Sequence, residues 1–110
     1  MIDWSDTETL AFSLRLRPGK EAEYLKRHDE LWPEMKEMLL ASGILHYEIY
    51  LEEGSDRLFG HIIRRKDHTM ASTFDHPVNR RWRAFMSDVL QMEGDRSIRR
   101  DLRRMFALKA

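Results

Sequence analysis

Residues 9–16 alternate between apolar and polar side chains, with leucine or phenylalanine at every second position from Leu10. This period is typical of a strand with one buried face. The alternation returns at residues 44–52, and after a Glu-Gly-Ser-Asp turn a further run extends over 57–65. These segments predict three strands, of which the second and third form a hairpin.

Two helices are predicted between the first two strands. Apolar residues recur there at three- and four-residue spacing, which indicates one buried helical face. Pro33 interrupts the pattern because proline cannot donate an interior helical hydrogen bond. We therefore expect helices at about 19–29 and 33–42, the second beginning at Pro33 and stopping at Gly43. The predicted buried face comprises Ala22, Leu25, His28, Leu31, Trp32, Met35 and Leu39.

The remainder of the chain predicts a loop or short helix, a further long helix and a last strand. The long helix follows His76-Pro77, and Gly94 ends that region. An arginine-rich stretch over 96–104 then leads to the apolar residues 105–108, which we expect to form the last strand. The predicted apolar face of the long helix comprises Val78, Trp82, Phe85, Met86 and Val89.

The predicted order is β-α-β-β-α-β, which indicates an α+β fold of the ferredoxin-like, split β-α-β type. We expect a single domain over 1–110, with residues 1–8 as a polar lead-in. Helices on one face of a four-stranded sheet leave the other face uncovered. A second copy of the chain is the simplest cover, so the pattern predicts a homodimer.

Composition narrows the classes of function. The 110 residues include 19 basic and 19 acidic ones and no cysteine, so disulfides and thiol chemistry are excluded. Zero net charge argues against a nucleic-acid partner, and the arginines of 96–104 are interspersed with acidic residues. The acidic N-terminal stretch is no signal peptide, and no apolar run could span a membrane. We expect a cytoplasmic protein without nucleic-acid or membrane partners. The histidines show no metal-binding spacing, so we expect no metal site.

The motifs at residues 24–35, 47–51 and 81–86 resemble those of the L-rhamnose mutarotase family. Residues 24–35 contain the family's Y-x-x-x-H-x-x-x-W-P-E stretch, and 47–51 match its Y-x-I-Y-L strand. Residues 81–86 are similar to its R-W-W-x-Y-M motif. The resemblance covers about residues 9–108, and three motifs in register are fairly specific. It implies a dimeric α+β barrel and a cofactor-free enzyme that interconverts the α and β anomers of L-rhamnose or a related 6-deoxy pyranose.

The resemblance also implies roles for particular residues. His28 matches the family's catalytic histidine, taken as the proton donor. Tyr24 and Tyr47 match substrate-binding tyrosines, and Trp82 matches the first tryptophan of a pair at the sugar site. Arg83 stands where the family has the second tryptophan, and it offers hydrogen-bond donors and a stacking plane in its place. We therefore expect Arg83 to contact the substrate and to alter the choice of sugar.

The chemistry suits these residue types. Ring opening needs one group to take the proton of the anomeric hydroxyl and another to protonate the ring oxygen, and histidine exchanges protons near neutrality. Tyr24 and His28 are four apart and share a helical face. The second proton-transfer group stays open between a tyrosine, a glutamate and water. Two other functions remain: a cofactor-free monooxygenase on the same fold, and a non-enzymatic small-molecule-binding module in which His28 is structural.

Overall fold

The computed structural model describes residues 4–110, so the first three residues of the predicted lead-in lie outside the described part. None of the helices in this part of the chain has the length and hydrophobicity needed to cross a membrane. The strands are β1 (Thr7–Arg15), β2 (Ile44–Leu51), β3 (Arg57–Arg65), β4 (Met92–Glu93), β5 (Arg96–Ser97) and β6 (Arg99–Leu102). The helices are α1 (Glu21–Asp29), α2 (Pro33–Ala41) and α3 (Pro77–Met86), and 3-10 turns occur at Trp4–Asp6 and Met70–Thr73.

The main sheet has four antiparallel strands in the order β2-β3-β1-β6. β1 and β2, which flank the first helical pair in sequence, are separated in the sheet by β3. This is the split β-α-β topology. The predicted α+β, ferredoxin-like fold is confirmed. β4 and β5 form a separate two-stranded hairpin.

One face of the sheet carries the core. Phe12 and Leu14 of β1 lie opposite Gly60 and Leu58 of β3, and these side chains pack beneath the helices. The helices contribute the rest through single faces, as the three- and four-residue spacing predicts. The buried helical residues are Tyr24, Met35, Met38, Val78, Trp82 and Met86.

Local sequence explains where the second helix begins and ends. Pro33 is the first residue of α2, where its missing N–H costs no hydrogen bond, and Trp32 occupies the N-cap position without a side-chain capping bond. The chain leaves α2 through Gly43, whose φ of +108° favours glycine. The predicted start and stop of α2 are thus confirmed.

The predicted strand at 105–108 is wrong. The last strand is β6, which pairs with residues 11–14 of β1, whereas Met105, Phe106 and Leu108 are exposed and have no regular structure. The apolar pattern gave the wrong strand because the side chains of β6 that point to the inner face are charged. They belong to Arg99 and Asp101, which lie at the rim of a cleft and not in the core. Tertiary contacts, not hydrophobicity, select this strand.

The predicted face of α1 is also partly wrong. Leu25 is 62% exposed and Ala22 is exposed, while Tyr24 is buried. The helix is rotated so that Tyr24 and His28, one turn apart, face the sheet. On α3, Phe85 of the predicted apolar face is 41% exposed.

The opposite face of the sheet has no helix packed on it among the described residues. It carries Ala11 and Ser13 of β1 and, opposite them, Phe59 and His61 of β3, all of which are partly exposed. On the neighbouring edge strand, the Glu48 carboxylate contacts His46 Nε2 and the Tyr50 hydroxyl. We refer to this surface as the outer face of the sheet.

Candidate active site

The helices and the inner face of the sheet enclose a cleft of about 1320 Å³. All five residues singled out from the sequence line it: Tyr24, His28, Tyr47, Trp82 and Arg83. They come from α1, β2 and α3, so the fold brings together residues that are distant in the chain. The cleft is therefore the candidate active site.

His28 lies among aromatic rings. Its ring stacks on Tyr24 with centroids 4.2 Å apart, and it meets Trp82 edge-on at 5.4 Å. Trp82 in turn packs perpendicular to Trp32 at 5.0 Å. Tyr24 and His28 can stack because they are four residues apart on α1. The contact with Trp32 restricts the position of Trp82 on the side away from His28. This packing holds the imidazole in one place.

One ring nitrogen of His28 is committed to the backbone. Nδ1 lies 3.1 Å from the carbonyl oxygen of Tyr24. Because a carbonyl oxygen only accepts, Nδ1 carries the proton and donates it. Burial lowers the pKa of His28, against smaller opposite effects from that hydrogen bond and from Asp29. The ring is therefore neutral near pH 7, and Nε2 has a free lone pair with which it can accept a proton.

The two tyrosines keep their protons. Tyr47 is 37% exposed as a whole, but desolvation of its ring within the cleft raises the pKa of its hydroxyl to about 12, with Arg99 acting in the opposite direction. Burial also raises the pKa of Tyr24, and nearby Tyr47 adds to the effect. Tyr47 lies on the inner side of β2 with its ring edge-on to Phe12 at 6.1 Å. Both phenols are hydrogen-bond donors at neutral pH.

Arg83 lines the cleft, but its guanidinium is already engaged. Nη1 donates to the carbonyl oxygen of Phe74 at 2.5 Å, and Cζ lies 3.8 Å from the centre of the Phe74 ring. The structure thus gives Arg83 a protein partner that the sequence did not predict.

Four further aromatic and cationic residues of the cleft were missed: Phe12, Phe74, Arg96 and Arg99. Phe12 forms part of the lining, with Arg99 Cζ 4.1 Å from its ring centre, and Arg96 Cζ lies 4.1 Å from the Phe74 ring. Phe12 looked like an ordinary strand residue, and nothing in the local pattern marks Phe74. Two arginines of the 96–104 stretch, Arg96 and Arg99, thus lie at the cleft.

Of the other histidines, His46 also belongs to the lining of the cleft, whereas His61, His68 and His76 do not. Nδ1 of His76 accepts from the Val78 N–H and caps α3, and His68 lies 3.5 Å from Glu8. Over residues 4–110, no group of three or more histidine, cysteine, aspartate or glutamate side chains is placed to hold a metal ion.

Comparison with known proteins identifies the family. The profile of the L-rhamnose mutarotase family matches residues 9–108, nearly the whole chain. The chain belongs to the L-rhamnose mutarotase family. It is 48% identical over 100 residues to the L-rhamnose mutarotase of Rhizobium leguminosarum bv. trifolii, an alignment that covers 90% of this chain and 94% of the relative. It is 42% identical to that of Burkholderia orbicola, with 93% and 99% covered.

Solved structures agree with this family. The crystal structure of the L-rhamnose mutarotase from Formosa agariphila superposes with a TM-score of 0.83 at 30% identity, covering 93% of this chain and 99% of the other. A Pseudomonas aeruginosa protein superposes with a TM-score of 0.60 at 15% identity over 96% of this chain and all of the other. The second likeness shows the fold alone. The predicted family is confirmed, and its members are carbohydrate isomerases.

Proposed function

We propose that this chain catalyses the interconversion of the α and β anomers of L-rhamnose or a related 6-deoxy pyranose. The observation that carries the proposal is the neutral His28 imidazole, held by Tyr24 and Trp82 in a cleft lined with aromatic rings. Aromatic faces suit the C–H surface of a deoxy sugar. The relatives named above are L-rhamnose mutarotases, which supports this substrate.

In the proposed mechanism, Nε2 of neutral His28 takes the proton of the anomeric hydroxyl. The C1–O5 bond breaks as C1 becomes a carbonyl, and O5 receives a proton from a second group. Rotation about C1–C2 presents the other carbonyl face, and the reverse transfers close the ring. No atom or electron is gained overall. His28 therefore accepts a proton first and donates it in the closing step, which refines its expected role as proton donor.

The second group is one of the two tyrosine hydroxyls. Tyr24 and Tyr47 are protonated and line the same cleft as His28. Either hydroxyl can donate a hydrogen bond to O5 as negative charge develops there. The variants Tyr24→Phe and Tyr47→Phe remove each donor while keeping the ring, so a fall in kcat in only one of them identifies the donor.

The test of the function is NMR exchange spectroscopy of L-rhamnose near neutral pH, with and without the protein. Wild-type protein should accelerate exchange, and His28→Ala should lower the catalysed rate by about 10²–10⁴-fold, the usual contribution of a positioned general base. Lys26→Ala, an exposed change on the same helix, is the matched control. Exchange at the spontaneous rate with wild-type protein would reject the proposal.

A monooxygenase and a non-enzymatic binding module are not favoured by the comparisons. Each alternative predicts an assay result that differs from that of a mutarotase. A cofactor-free monooxygenase would consume oxygen with an aromatic substrate. A binding module would hold the sugar without accelerating exchange.

The active protein is proposed to be a cofactor-free, cytoplasmic homodimer in which two outer faces meet. Support comes from the partly apolar surface around Ala11, Phe59 and Ile63, which no helix covers in the described chain. Sedimentation should give a dimer, and Phe59→Glu should shift it to monomer while Glu21→Gln does not. A wild-type monomer at micromolar concentration would refute this arrangement.

A further inference from the structure

The wall of the cleft near Phe74 is built from three separate chain segments. Phe74 follows the 3-10 turn Met70–Thr73, Arg83 belongs to α3, and Arg96 belongs to β5. Both guanidiniums lie against the same ring, with Cζ at 3.8 Å for Arg83 and 4.1 Å for Arg96. All three residues line the cleft.

Helix α3 also holds the backbone of this loop. Arg83 Nη1 donates to the Phe74 carbonyl at 2.5 Å, and Asn79 Nδ2 donates to the Thr73 carbonyl at 2.9 Å. Asn79 and Arg83 are one turn apart, so neighbouring positions of one helix bind consecutive carbonyls. The loop also bonds within itself, since Thr73 Oγ1 donates to the Met70 carbonyl at 2.7 Å and the His76 N–H donates to the Thr73 carbonyl at 3.1 Å. Phe74 itself is only half-buried, so its ring depends on the groups packed against it.

We propose that Phe74 is a specificity-determining residue for the sugar and that Arg83 and Arg96 are its positioning residues. The inference deepens the proposed mutarotase function and rests on it. Because the two guanidiniums occupy the faces of the ring, the ring offers the substrate its apolar edge, which suits a methyl group better than an added hydroxyl. The guanidiniums act through the ring because both lie over it and Arg83 also donates a hydrogen bond to the Phe74 carbonyl.

A double-mutant cycle separates this role from direct sugar binding by Arg83. Phe74→Ala should raise KM for L-rhamnose about tenfold, with kcat changed less than about twofold, because it removes uniform binding. It should also reduce the preference for L-rhamnose over its 6-hydroxy counterpart, L-mannose. Arg83→Ala should give much the same changes. The double variant should be no worse than Phe74→Ala, since Arg83 has no ring left to position.

Arg81→Ala is the matched control, an exposed arginine of α3 outside the cleft lining. Thermal unfolding by circular dichroism establishes that each variant is folded. The proposal is overturned if the effects of Phe74→Ala and Arg83→Ala multiply in the double variant, which would mean independent contacts with the sugar. It is also overturned if Phe74→Ala leaves both KM and the sugar preference unchanged.

Failure of the proposed function gives a different result. Wild-type protein would then leave anomer exchange at the spontaneous rate, whatever the variants do. In that case saturation-transfer NMR, which needs no turnover, can measure the binding of L-rhamnose to the wild type, the two single variants and the double variant. Equal loss of binding in the two single variants and the double variant supports the positioning role, whereas multiplied losses or no binding by any of the proteins overturns it.

Discussion

Replacement of Gly60 by alanine tests how the sheet supports the cleft. A Cβ at this position would lie 2.4 Å from Cζ of Phe12 and 2.7 and 2.8 Å from its two Cε atoms. The Phe12 ring borders the cleft but is only 3% exposed, because Arg99 lies over it and Tyr47 meets it edge-on, so it can move only if these side chains also move. The added methyl group therefore overlaps with the ring unless the ring or strand β3 shifts.

Two opposing effects set the magnitude. Overpacking a core costs about 1–3 kcal/mol. Alanine regains roughly 0.5–1 kcal/mol over glycine in a strand because the unfolded chain loses freedom. Contacts as short as 2.4 Å place the overpacking cost in the upper part of its range, so the net destabilisation of Gly60→Ala should be about 1–2.5 kcal/mol, which for 110 residues lowers Tm by about 4–11 °C.

Activity should fall as well, because Phe12 contacts the Tyr47 ring and the Arg99 guanidinium. We expect kcat/KM to drop by about tenfold, since small displacements of positioning groups are costly. Thermal and urea unfolding at fixed protein concentration measure stability, and NMR exchange measures activity. Phe12→Leu removes the overlapping atoms, so Gly60→Ala should cost under about 0.5 kcal/mol in that background. An unchanged Tm for Gly60→Ala alone would refute the reasoning.

Three further outcomes follow from the structure. Lowering the pH should protonate His28 and abolish its function as a base. Because burial lowers the pKa of His28, the pH at which kcat/KM falls to half should lie below 6.5, and His28→Ala should not show this pH dependence. Arg27→Ala should destabilise the fold by about 1–2 kcal/mol in urea unfolding, because Nη1 donates to the Phe85 carbonyl at 2.6 Å and the guanidinium covers that ring; no change would show that contact to be unimportant. Leu25→Lys should alter stability by less than about 0.5 kcal/mol, and a larger loss would contradict the exposed position of Leu25 on α1.

Sequence periodicity predicts an element well where one face packs on the core. β1 and α2 are of this kind, and their positions were predicted to within two residues. β6 was missed because its inward side chains, including Arg99, contact the cleft instead of the core. Such a strand shows no alternation of apolar side chains, so the sequence pattern favoured the more apolar residues 105–108 nearby.

The candidate site divides in the same way. Tyr24 and His28 could be paired from their spacing on one helix, and the resemblance added Tyr47 and Trp82. The contact of Arg83 with Phe74 could not be predicted, because it joins a helix to a loop whose path depends on the whole fold. Sequence motifs thus led to the candidate reacting group, His28, while part of the surrounding wall required the structure.

The strand order has a consequence for folding. β1 is a central strand, yet both of its partners come later in the chain: Leu14 pairs with Leu58 on one side and with Arg99 on the other. Bringing residues so far apart in the chain together costs conformational entropy before the contacts between them can compensate, and this slows folding. During synthesis, β1 keeps one edge unpaired until β6 has been made. The nascent chain must therefore be protected from pairing with other strands until almost the whole sequence is available.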